Sequence, residues 1–114
     1  MRKILPFLTI AVISCSGGNE KEIEWTKNGT LHELTISQWK QSTEANKLAT
    51  CADFVANLKN AENQKYTSMS DMKNDAITMK TCIEEAVNGG DYADNMKVKE
   101  VAVLCHIMVK AQNE

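Results

Sequence analysis

Three amphipathic stretches of helical period, each with one cysteine in its apolar stripe, constrain the fold of this chain more than any other feature. Apolar residues recur every three or four positions over residues 44–60, 70–88 and 94–111, which is the spacing of one helix face. Thr35-Ile-Ser-Gln38 has the form of a capping box and predicts a short helix ahead of them. The sequence therefore predicts a mainly all-α fold, a small antiparallel bundle of three to four helices.

Capping residues and glycines suggest where these helices begin and end. Ser and Thr residues precede the second and third helices and can serve as N-caps, and Gly89-Gly90 ends the third. We expect the last helix to begin near Asp94. Leu104 and Ile107 are expected to widen its core-facing stripe.

The segment ahead of the helices, residues 23–34, contains Asn28-Gly29, a dipeptide preferred in two-residue hairpin turns. A hairpin about this turn places Trp25 opposite His32. It also sets Glu24 against Glu33, and facing like charges oppose that register. Two interpretations stay open: a short N-terminal β-hairpin, or extended chain leading into the helices.

The first fifteen residues differ in character from the rest of the chain. Arg2 and Lys3 precede a largely apolar run, which is the layout of a secretory signal peptide. A helix over residues 4–15 would rise only about 18 Å against a hydrocarbon core of about 30 Å, so it is too short to span a bilayer. The run ends in Val12-Ile-Ser-Cys15, which resembles the lipobox of bacterial lipoproteins.

That resemblance implies cleavage before Cys15 and lipid attachment to it, so that acylated Cys15 holds the mature protein in a lipid bilayer. Residues 1–14 are then the signal peptide, residues 15–22 the lipidated cysteine with a flexible tether, and residues 23–114 a small helical domain. The implied location is the bacterial cell envelope. In a Gram-negative host, Ser16 in place of an aspartate favours the outer membrane, facing the periplasm.

The net charge argues against two kinds of partner. It is −2 at pH 7 and becomes −4 once Arg2 and Lys3 leave with the signal peptide. An acidic domain attracts neither nucleic acid nor anionic headgroups. Membrane attachment is therefore expected to come from the lipid on Cys15.

The three remaining cysteines are expected to form one disulfide and leave one thiol in an oxidising compartment. The pairings among Cys51, Cys82 and Cys105 close loops whose entropic effects differ by less than about 1 kcal/mol, so loop length does not choose among them. The short turn at Gly89-Gly90 favours Cys82 with Cys105. The pairs Cys51 with Cys82 and Cys51 with Cys105 stay open.

Neither a metal site nor a catalytic site is expected. Zinc sites draw ligands from compact spacings such as C-x-x-C, and no cysteine here has such a neighbour. Cys105 and His106 diverge by about 100° around a helix and cannot readily chelate together. The candidate acids lie on or beside polar helix faces, where carboxylates are normally solvated: Asp53, Glu84, Glu85 and Glu100. We expect a non-enzymatic protein without a cofactor.

Trp25 and Trp39 lie ahead of the main helices, where a three-helix core covers them least. Partly exposed aromatic residues commonly anchor protein interfaces, so both are candidate interface residues; the alternative is that they cap one end of the bundle. Five methionines suit either core filling or an adaptable binding surface: Met69, Met72, Met79, Met96 and Met108. These features favour an envelope lipoprotein that presents a helical protein-interaction domain, as a subunit, an inhibitor or an immunity-type factor.

A second function stays open. Thr50-Cys-Ala-Asp-Phe54, followed by Thr81-Cys82, resembles the disulfide-containing acid-stress chaperones of the Gram-negative periplasm. The resemblance covers residues 50–82 only, its cysteine spacing is shorter than that family's pattern, and Cys105 is extra. It implies a periplasmic holdase.

Overall fold

The computed structural model describes residues 23–112, which form four named α-helices. They are α1 (Ile36–Lys40), α2 (Glu44–Ala61), α3 (Met69–Val87) and α4 (Val98–Gln112). The predicted all-α helical bundle is confirmed. Within the described range there is one isolated antiparallel bridge, between Thr35 and Lys97, and no strand. The predicted signal peptide, Cys15 and the tether lie outside the described residues.

Hydroxyl N-caps set the starts of the first three helices. Thr35 Oγ1 accepts a hydrogen bond from the backbone N–H of Gln38, and Gln38 Oε1 accepts one from the N–H of Thr35, which completes the predicted capping box. Thr43 and Ser68 cap α2 and α3 by accepting from the backbone N–H three residues ahead. Each hydroxyl satisfies a helix N–H that has no partner inside the helix.

The last helix begins at Val98, later than the predicted start near Asp94. Residues 91–97 form a turn segment that binds the start of α1 instead. Its carbonyl oxygens accept hydrogen bonds from the N–H groups of Ile36 and Ser37 at 2.9 and 3.1 Å. The first N–H groups of a helix have no acceptors within that helix, and in α1 these carbonyls accept from them. The same carbonyls therefore do not form an earlier turn of α4.

Of the two interpretations left open for residues 23–34, the β-hairpin is wrong, because side chains of α2 take the place of a partner strand. The N–H of Thr30 donates to Asn46 Oδ1 at 2.9 Å, and the N–H of Leu31 donates to Thr50 Oγ1 at 3.2 Å. A Cβ added at Gly29 would lie 2.7 Å from the backbone nitrogen of Thr50. Gly29 thus allows two backbones to approach closely, and it does not serve a two-residue turn.

The core lies between α2, α3 and α4, and α1 packs onto it. Its largest fully buried side chains include Leu31, Ile36, Trp39, Ile83, Val98 and Cys105. A disulfide joins Cys82 to Cys105, whose Cα atoms are 5.9 Å apart, and Cys51 is a buried thiol. Of the three pairings that the sequence leaves open, the structure has the one between consecutive helices.

Candidate functional site

α4 carries apolar side chains on two opposite sides. One side enters the core through Val98, Val101, Ala102 and Cys105. On the other side, Val103, Leu104, Ile107 and Met108 are each 47% to 57% exposed. We call these four side chains the α4 outer face. Since residues four apart lie one turn above each other, Val103 with Ile107 and Leu104 with Met108 form a continuous strip.

Exposed apolar surface is concentrated on this strip. Four of the seven large hydrophobic side chains that are exposed in the described residues belong to the α4 outer face. A helix that is apolar all round is normally covered on all sides. A contiguous exposed apolar patch marks an interaction site, whereas single exposed apolar residues need no explanation. The α4 outer face is therefore the strongest candidate functional surface.

Sequence reasoning misplaced Leu104 and Ile107, which were expected to widen the core-facing stripe and are instead on the outer face. The disulfide turns Cys105 towards α3 and so fixes the rotation of α4 about its own axis. Leu104 and Ile107 lie about 100° and 160° around the helix from Cys105, so they point outwards. The available signal was the near-continuous run of apolar residues from 101 to 109, which is more than one stripe needs.

Charged side chains border the outer face at both ends. Lys99, near the start of α4, lies 3.0 Å from Glu33, and Lys110, near its end, lies 2.6 Å from Glu62. The hydrogen bond from each lysine lowers the pKa of its carboxyl partner, so both carboxylates stay ionised well below neutral pH. An apolar centre with a charged border is the usual layout of a protein-binding surface.

Of the two roles left open for Trp39, its burial favours the cap on the bundle over the interface anchor. Its side chain is 0% exposed, and its indole N–H donates to Glu84 Oε2 at 3.4 Å. Lys47 Nζ lies 5.6 Å from the ring centroid. The core therefore extends to α1 and covers this tryptophan, as the alternative of a cap on the bundle implied.

Trp25 is half-buried against the core. Lys73 Nζ lies 5.6 Å from the centroid of its ring, so a cation covers part of its aromatic surface. The interface role of Trp25 stays a prediction.

A network of charges lies beside Trp39, and sequence reasoning did not find it. Lys47 is only 6% exposed; its ammonium lies 3.3 Å from Glu44 and 3.5 Å from Glu84. Lys80 lies 2.5 Å and 3.3 Å from the same two carboxylates, and its hydrogen bond lowers the pKa of Glu44. Glu84, a candidate acid from sequence, is thus held between two lysines and ties α3 to α2.

The two histidines and the remaining thiol lie in separate places. His32 Nε2 is 2.7 Å from Asp53, in the middle of α2, whereas His106 Nε2 is 3.3 Å from Glu62, at its C-terminal end. Over residues 23–112, no group of three or more His, Cys, Asp or Glu side chains could hold a metal ion. Burial raises the pKa of the Cys51 thiol to about 12, so it is protonated and inert at neutral pH.

A small cleft opens between α2, α3 and α4, with a volume of about 200 Å³. Its lining includes the apolar side chains of Val55, Leu58 and Met79. At its rim Tyr66 donates its hydroxyl hydrogen to Asp75 at 2.7 Å, so these polar groups bind each other. The volume is below the range of about 300 to 1,000 Å³ typical of ligand sites, which makes the cleft a weaker candidate than the α4 outer face.

No protein-family model, curated protein or solved structure matches the chain. Among the residues that the structure describes, no helix combines the length and the apolarity needed to cross a bilayer. Cys51 and Cys82, the two cysteines that carry the resemblance to acid-stress chaperones, are not bonded to each other, since Cys82 is joined to Cys105.

Proposed function

We propose that this chain is a bacterial envelope lipoprotein, anchored through acylated Cys15, whose helical domain binds a protein through the α4 outer face and catalyses no reaction. The observation that carries the binding role is the contiguous exposure of four apolar side chains on one side of α4. The lipobox resemblance at Val12 to Cys15 supports the anchor.

The size of the α4 outer face sets the affinity that it can provide. Its four side chains are about half exposed, and covering that half contributes about 3 to 6 kcal/mol in total. This is comparable with the low end of the free energy that association costs, about 4 kcal/mol. The strip alone therefore supports modest affinity, and a tight complex would need further contacts from its charged border.

The tether places any such partner at the membrane. Residues 16–22 reach at most about 25 Å when fully extended, so a lipid on Cys15 holds the domain next to the bilayer. Confinement near one surface raises the effective concentration of the domain for partners held there. This suits a subunit of an envelope assembly, or an inhibitor or immunity-type factor.

A binding role also agrees with how the candidate catalytic groups are used. Asp53 pairs with His32, and Glu84 pairs with Lys47 and Lys80. The remaining thiol, Cys51, lies in the core. These two carboxylates are held in ion pairs and this thiol is buried, so these three groups give no support to a catalytic role.

The anchor is tested by the substitution Cys15→Ala. We expect the variant to incorporate no labelled palmitate and to leave the membrane fraction, because the lipobox cysteine supplies the only proposed attachment. Cys51→Ala is the matched control and should be labelled like the wild type, since Cys51 is buried in the folded domain. Labelling of Cys15→Ala at the wild-type level would contradict the lipoprotein assignment.

The binding surface is tested by photo-crosslinking in the intact membrane. A benzophenone amino acid in place of Leu104, in the full-length protein, should form a protein adduct on illumination, because this position lies within the exposed strip. The same amino acid in place of Asn57, exposed on α2, is the control and should form little. Equal yields from the two positions, or no protein adduct from position 104, would rule out the proposed surface.

A further inference from the structure

We infer that the partner of the α4 outer face is α4 of a second copy of this chain, packed against it in antiparallel orientation. The inference rests on the proposed protein-binding role of this face and names its partner. It is argued from the spacing, exposure and charge of four positions on α4.

Glu100, Val103, Ile107 and Lys110 follow one another at intervals of three, four and three residues. That alternation is the repeat of a coiled-coil seam, in which successive positions stay on one side of the helix and face a partner helix. Val103 and Ile107 are 47% and 57% exposed. The seam has an apolar centre and opposite charges at its two ends.

The seam is complementary to itself in only one of the two orientations. About a two-fold axis at residue 105, antiparallel helices place Val103 against Ile107 of the second copy, and Glu100 against Lys110 of the second copy. Each contact then occurs twice, as in any isologous interface. A parallel pair would set Glu100 against Glu100 and Lys110 against Lys110. Since facing like charges are destabilising, the charges select the antiparallel pair.

Both end residues can reach a second copy from their positions in the structure. Glu100 is exposed and uses Oε1 to accept the backbone N–H of Lys97 at 2.8 Å. The side chain of Lys110 is 54% exposed although it lies 2.6 Å from Glu62. An ammonium group has three donors, so Lys110 can bind Glu62 and Glu100 of the second copy together.

The predicted contact is small, and this determines where it should be sought. α4 spans about 22 Å, and a single helix pair of that length belongs with the weak interfaces that bury less than about 1,200 Å². In dilute solution such a dimer dissociates. Copies anchored in one membrane stay at high effective concentration, so the full-length protein in its own membrane is the appropriate sample.

The test combines photo-crosslinking with substitutions that reverse the charge of Glu100 or Lys110. With a benzophenone amino acid in place of Val103, the main adduct should have twice the mass of the chain and should map to the region around Ile107 of the second copy. Glu100→Lys and Lys110→Glu should each lower its yield about five- to tenfold, because two opposite-charge contacts become two like-charge contacts. The double variant should restore the yield. Co-expression of Glu100→Lys with Lys110→Glu should also restore the yield, because opposite charges then face each other at both ends of the mixed pair.

Lys65→Glu provides the matched control, since it makes the same charge change in the exposed connection between α2 and α3 and should leave the yield unchanged. Thermal unfolding of each variant shows whether its domain is folded. An adduct with a different protein from position 103 would overturn the second-copy inference and leave the proposed function standing. No protein adduct from either position 103 or 104 would overturn both. A dimer yield that does not change with Glu100→Lys or Lys110→Glu would overturn the antiparallel register.

Discussion

Replacing Trp39 by alanine is expected to lower the free energy of unfolding by about 3 to 5 kcal/mol, the usual effect of emptying a buried aromatic site. The side chain is fully buried, and its indole N–H binds Glu84 on α3. Truncation leaves a cavity between α1 and the bundle and removes one partner of a partly buried carboxylate. Because a domain of this size has only about 5 to 10 kcal/mol of stability, this loss is a large fraction of the total.

Urea denaturation followed by circular dichroism measures this loss without relying on the fluorescence that the substitution removes. Trp25→Ala is the matched control, since Trp25 is only half-buried and its replacement should lower the free energy of unfolding by less than about 2 kcal/mol. If Trp39→Ala costs less than about 1 kcal/mol, which is closer to the effect of a surface substitution than of an emptied core site, the buried position of Trp39 is wrong.

The features that could be predicted from the sequence are those with local causes. Thr35 caps α1 by accepting a hydrogen bond from the N–H group three residues ahead, as its capping box predicted. Such contacts depend only on neighbours along the chain, so the capping motif and the helical period were sufficient to predict them. The pairing of Cys82 with Cys105 is also nearly local, because it joins consecutive helices across one short connection.

The features that were missed depend on distant parts of the chain. Gly29 has the sequence signature of a hairpin turn, yet it is needed because the backbone of Thr50 lies against it. The start of α4 is delayed because carbonyls of residues 91–97 bind α1. Neither partner lies within the local window from which the turn or the helix was predicted.

The burial of Lys47 on α2 also depends on a distant part of the chain. Lys47 belongs to a residue type that is almost never buried without a partner. It is buried because Glu84, brought in by α3, lies beside its ammonium together with Glu44. A charged residue at this position is normally predicted to be exposed. The packing of α2 on α3 brings in the Glu84 carboxylate, which offsets the cost of removing the Lys47 ammonium from water.

The sequence of α4 has more apolar residues than one core stripe needs, and periodicity alone does not show which of them lie outside the core. When nearly every position from 101 to 109 is apolar, several rotations of the helix present an acceptable core stripe. The bond between Cys82 and Cys105 removes that ambiguity, because it directs one known position of α4 towards α3. With Cys105 directed towards α3, the exposed apolar side chains lie on the other side of α4.

Removing this disulfide, with Cys82→Ala and Cys105→Ala together, is expected to lower the free energy of unfolding by about 3 to 4 kcal/mol. The bond closes a loop with a sequence separation of 23, and opening such a loop gives the unfolded chain that much conformational entropy. α4 packs chiefly on α3, so the bond also ties down the helix that carries the proposed binding surface. Denaturation of the oxidised wild type beside the double variant measures the loss.

Reduction separates the effect of the bond from the effect of the missing sulfur atoms. Dithiothreitol should destabilise the wild type by nearly the same amount and leave the double variant unchanged, because only the wild type has a bond to lose. Cys51 should react with an alkylating reagent only after unfolding, since its thiol is buried. A wild-type denaturation midpoint that does not move on complete reduction would show that the bond does not stabilise the domain. If the midpoint does move, photo-crosslinking from position 103 should weaken in the reduced protein, because α4 then loses its covalent tie to α3.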